Sequence, residues 1–99
     1  MKYENLPGGD ILEQGLRSLD EGRPDENSLL LMIGACRLGL CGIDIKPLPI
    51  GTDFPEDRLY RLLAAQHGKD AYRVYNILTR RLASLESALE NLAASGKGS

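Results

Sequence analysis

The stretch Ala71-Tyr72-Arg73-Val74-Tyr75-Asn76-Ile77-Leu78-Thr79-Arg80-Arg81-Leu82-Ala83-Ser84-Leu85-Glu86-Ser87-Ala88-Leu89-Glu90-Asn91-Leu92 decides the fold. Its apolar residues fall at Ala71, Tyr75, Leu78, Leu82, Leu85, Leu89 and Leu92, alternating steps of four and three without a break. A half-buried strand would repeat every second residue, whereas this interval keeps one stripe of a helix apolar in heptad fashion. A helix from Asp70 to about Ala94 is predicted, roughly 37 Å long at 1.5 Å per residue.

Three shorter helices are predicted upstream. Leu6-Pro7-Gly8-Gly9-Asp10 reads as a turn with Asp10 as a helix cap and Glu13 three residues on, as in a capping box. The first helix then begins near Ile11, gathers Ile11, Leu12, Gly15, Leu16 and Leu19 on one face, and stops at Gly22. Arg23-Pro24-Asp25-Glu26 starts a second helix with proline in its first turn, running to about Leu38 and apolar around much of its circumference, which makes it the central one. Pro47, Pro49 and Gly51 make the stretch from Ile43 to Phe54 an extended crossover. Asp53-Phe54-Pro55-Glu56-Asp57 opens a third helix with Leu59, Leu62 and Leu63 inward and Gly68 as its stop.

The expected architecture is therefore all-α: a four-helix bundle-like single domain over residues 1–94, with a Pro-containing crossover, a long C-terminal helix and a flexible tail at 95–99. The composition agrees, with 42% hydrophobic residues in 99, Phe54 and four tyrosines as the only aromatics, and no tryptophan. The first residues lack the apolar core of a signal peptide, and the longest apolar run, Leu29 to Cys36, is too short to span a bilayer. A soluble cytoplasmic protein without a membrane partner is expected, with reduced thiols at Cys36 and Cys41 and Cys36 packed as a small apolar residue.

Nothing in this sequence assembles a catalytic or metal-binding set. His67 is the sole histidine and sits where the third helix ends, a place that favours a surface imidazolium. Two cysteines five residues apart and one distant histidine do not supply four zinc ligands. GxSxG, HExxH, Walker and Rossmann patterns are absent, and Gly8-Gly9-Asp10 lacks the strand that precedes a phosphate-binding loop. No enzymatic activity, cofactor or metal is expected.

Two readings of function remain. The last helix outreaches its neighbours, the first spanning roughly 16 Å and the third roughly 20 Å. The seam residues Leu78, Leu82, Leu85, Leu89 and Leu92 are thus expected to form a protein interface. This is the interface of a small non-catalytic adaptor or regulatory module that homodimerises through its last helix, any further protein partner being unidentified. In the competing arrangement the first and second helices cover the whole of it within one chain.

The alternative is a DNA reader. Net charge is −2, yet the segment from Arg58 to Arg81 holds six basic residues against Asp70 alone, +5, leaving −7 on the rest. Gly68 has Ala64 four residues before it and Val74 and Ile77 six and nine after it, the spacing of a helix-turn-helix. Tyr72, Arg73, Asn76, Thr79 and Arg80 would then face phosphates and bases. His67 and Lys69 beside the glycine depart from that pattern, and acids elsewhere in the fold can equally answer the basic segment.

Overall fold

The computed structural model describes residues 5–46, 48 and 54–97, with side chains as far as residue 94. Five α-helices and one 3-10 turn follow in order: α1 Gly9–Asp20, α2 Glu26–Ile33, α3 Ala35–Leu40, α4 Pro55–His67, the 3-10 turn Gly68–Asp70, and α5 Ala71–Lys97. The chain is all-α among the described residues. Of the crossover, Ile43 and Leu48 are buried in the core, whereas Pro47, Pro49 and Gly51 lie outside the described residues, as does Asp53.

Four helices were expected and five are found among the described residues, because the second breaks at Gly34 into α2 and α3. A Cβ on Gly34 would sit 2.7 Å from Glu86 Oε2 and 3.1 Å from Leu82 Cδ1. Absence of a side chain at the break is what lets this corner lie against α5. Beyond it, α3 buries Leu38 and ends at Cys41. α2 is nevertheless central, touching α1, α3, α4 and α5.

Helix starts differ from expectation in instructive ways. α1 begins at Gly9 with Gly8 as its cap, not at Ile11 with Asp10 as the cap residue, although the Asp10 carboxylate takes hydrogen bonds from the Asp10 and Ile11 amides of the first turn. Gly8 takes a left-handed φ of 76°, which only glycine adopts without strain, and a Cβ there would lie 3.1 Å from both Arg81 O and Leu85 Cβ. Asp10 also reaches α5, where Arg81 Nη2 donates to its Oδ1 at 2.7 Å. The capping box occurs at α2: Ser28 N donates to Asp25 Oδ1 at 2.9 Å and Asp25 N to Ser28 Oγ at 2.8 Å. Pro24 accordingly precedes the helix rather than opening its first turn. Ser18 Oγ donates to the other oxygen of Asp25, so this cap also joins α1 to α2.

α4 begins with Pro55 in its first turn and ends at Gly68, whose φ of 58° turns the chain into α5. α5 runs three residues past the expected Ala94. Its 27 residues span roughly 40 Å and set the long axis of a molecule measuring 47 × 27 × 22 Å. No helix among the described residues is long and apolar enough to cross a membrane.

Candidate interaction surface on the last helix

Most of the leucine seam is consumed inside the chain. Leu82, Leu85 and Leu89 are 4%, 0% and 4% exposed, and Leu78 is half-buried against the same core. Of the five expected interface residues only Leu92, at 53%, faces solvent. The expectation compared helix lengths as though neighbours lay in register, but the covering elements are staggered along α5. α4 covers the first turns, where Tyr60 meets Tyr75 edge-on with centroids 6.0 Å apart. The entry to α1 covers Leu85 through Gly8, and α3 covers Leu82 and Glu86 through Gly34.

An ion cluster fixes α3 on α5. Arg37 Nη1 donates to Glu86 Oε1 at 3.0 Å, while its Nε and Nη2 grip the two oxygens of Glu90 at 3.2 and 2.8 Å. Glu86 is buried, and that desolvation pushes its carboxyl above the ordinary range, with Arg37 opposing the rise and Glu90 adding to it. Exposed Glu90 goes the other way, held down by the guanidinium hydrogen bonds. Nothing in a linear reading pairs residues 37 and 90; only the break at Gly34 brings them together.

Beside the seam, on the flank of α5 towards α1, further side chains are exposed. Ile77 is 50% exposed, and the ridge of residues 77, 81, 84, 88 and 92 follows helical steps of four, three, four and four. Ile77 and Leu92 mark its ends, with exposed Ser84 and half-buried Ala88 between. Ile77 escaped the sequence-based site because it stands one residue off the heptad, although its outward direction follows from that same offset.

The DNA-reading arrangement lacks its packing. Its glycine-centred pattern requires Ala64 and Ile77 between the crossing helices, yet Ala64 is exposed and Ile77 half-exposed. Tyr72, Arg73 and Arg80 do lie exposed on one face with Asn76 and Thr79 half-buried beside them. The +5 of the basic segment does not gather there. Arg81 is drawn to Asp10, and Arg73 lies 3.7 Å from Asp70. Arg58 and Arg61 line a groove with Pro24, Leu29 and Leu62 on the α2 side of α4. Glu56 and Asp57 act on Tyr75, adding to the rise that burial imposes on its phenol.

The groups considered for chemistry stay apart. Exposed His67 ends α4, Cys36 is exposed on α3, and Cys41 is half-buried at its end. Cys36 thus does not pack as a small apolar residue; the break at Gly34 turns its position on α3 outward. Among the described residues no three His, Cys, Asp or Glu side chains gather as a metal site, and no buried side-chain N or O lacks a hydrogen-bond partner. Three shallow grooves, of 260, 330 and 350 Å³, include neither the histidine nor the cysteines in their walls. The chain matches no protein-family model, and comparison with curated proteins and with solved structures finds none similar to it.

Proposed function

We propose that this protein is a small non-catalytic interaction module, of adaptor or regulatory type, that self-associates through the outward ridge of α5. The observation that carries the reading is the pair Ile77 and Leu92, half-exposed at the two ends of a ridge whose middle is small and uncharged apart from Arg81, itself turned to Asp10. Ile77 and Leu92 stand fifteen residues apart on α5, roughly 22 Å, and a partner that covered both would have polar Arg80 and Asn91 at its rim. Four of the six large apolar side chains exposed among the described residues, Tyr60, Tyr72, Ile77 and Leu92, belong to α4 and α5, which supports an adhesive surface in this part of the chain. The seam leucines serve this role indirectly, by anchoring the helix that presents the ridge.

Light scattering across a concentration series tests it. The measured mass should climb from 10.8 kDa towards twice that value, and the double substitution Ile77→Ser and Leu92→Ser should hold it at 10.8 kDa with helical content unchanged. A wild-type chain that remains at 10.8 kDa at concentrations on the order of 100 µM overturns the reading, since even a weak specific complex would be populated there.

A further inference from the structure

We infer that the two thiols bracketing α3 form a redox-sensitive release for the clasp that holds this helix on α5. Cys36 is exposed in the first turn of α3 and Cys41 is half-buried at the cap that ends it, both as free thiols. Between them lie the two residues that fasten α3 to the rest of the chain. Leu38 is its one buried side chain, and Arg37 holds Glu86 and Glu90 of α5. Whatever draws the two sulfur atoms together therefore disturbs both fastenings.

The wound helix and the bridge exclude each other. A disulfide needs two Cβ atoms turned towards one another at about 4 Å. In the wound segment Cys36 faces solvent, while Cys41 lies half-buried within electrostatic reach of Arg37. The bridge forms only when the backbone between them rewinds, and Gly39 is where it can, since nothing stands within 4 Å of the place a Cβ would take. Little else resists. Leu38 N donates to Gly34 O at 2.9 Å and Cys41 N to Leu38 O at 3.0 Å, and a helix of six residues has scant cooperative stability of its own.

The oxidant is a low-molecular-weight disulfide. The exposed Cys36 thiolate attacks one of its sulfur atoms, forming a mixed disulfide and expelling the first thiolate; the Cys41 thiolate then attacks the Cys36 sulfur and expels the second. Two thiols of the chain become one disulfide, the reagent is reduced to two thiols, and the two cysteine protons pass to them. Rewinding then draws Arg37 away from α5, and buried Glu86 loses the cation that answers it. Because winding and bridging compete for one segment, the coupling runs both ways: the bridge loosens the clasp and the clasp resists the bridge.

Titration of the full chain with oxidised and reduced glutathione, read by peptide mass mapping and thermal melts, tests both directions. The oxidised chain should carry an intrachain disulfide between Cys36 and Cys41 and melt at a lower temperature, which reductant restores. Arg37→Ala and Glu90→Gln each weaken the clasp, and both should bridge at a several-fold lower ratio of oxidised to reduced glutathione than wild type. Cys41→Ser should stop at a mixed disulfide on Cys36 with its melting temperature unchanged. A wild-type chain that also stops there, Cys41 still free, overturns the inference. So does a bridge that forms as readily in wild type as in both clasp variants and leaves the melting temperature in place, because the thiols would then meet without releasing α3.

Discussion

Gly15 has no room for one more carbon. A Cβ there would stand 2.5 Å from Leu31 Cδ1 and 2.9 Å from Asn27 O, so α1 and α2 meet backbone to side chain. Gly15→Ala gains about 1 kcal/mol of helix propensity yet must push a buried leucine and a carbonyl aside, and overpacking of that kind costs about 1–3 kcal/mol. Urea denaturation should show a net loss of stability, whereas Gly39→Ala, helical with nothing within 4 Å of the added carbon, should be neutral or gain up to about 1 kcal/mol. Titratable side chains separate in the same way. Glu86 has its folded-state value raised, so the fold holds that proton more tightly than the unfolded chain does, and its ionisation costs stability as pH rises through the carboxylate range. Asp10 is lowered by the Arg81 hydrogen bond, so its contribution exists above that range and fades as pH falls through it. Thermal melts should therefore find Glu86→Gln more stable than wild type near neutrality and Asp10→Asn less stable, both differences shrinking in acid.

At the scale of elements, the break at Gly34 puts Cys36 on the short helix α3 and Cys41 at the cap that ends it, both as free thiols. Alkylation should reach exposed Cys36 before half-buried Cys41, and reductant should leave the melting temperature unchanged. Residue periodicity made α1, α4 and α5 legible, since one apolar stripe between a start signal and a glycine is a local property. The split of α2 from α3 was not, because Leu29 to Cys36 is apolar on all sides and a uniformly apolar helix gives no phase in which an interruption could register. What stops the helix is tertiary: Gly34 is pressed against Leu82 and Glu86, some fifty residues away. The seam on α5 was equally plain, yet the identity of what covers it depended on where α1 and α3 enter. Ile77 and Leu92 became distinguishable from Leu82, Leu85 and Leu89 only with those entries in place.

For the whole molecule, the covered seam and the open ridge predict two separable behaviours. Leu85→Ala removes a fully buried side chain packed among elements of its own chain and should cost about 2–5 kcal/mol at any protein concentration. Leu92→Ser should leave that unimolecular stability nearly untouched and act only through protein concentration. Equilibrium unfolding at two concentrations tells them apart. The docking of Gly8 onto Arg81 and Leu85 has a consequence in time as well as in energy. More than seventy residues separate the partners, so α1 can meet α2 early but cannot close its near end until α5 has formed. On a ribosome releasing the chain from its N-terminus, Leu12, Leu38 and Leu63 would wait with part of their common core unbuilt until α5 emerges, and that helix would act as the keystone that commits the rest.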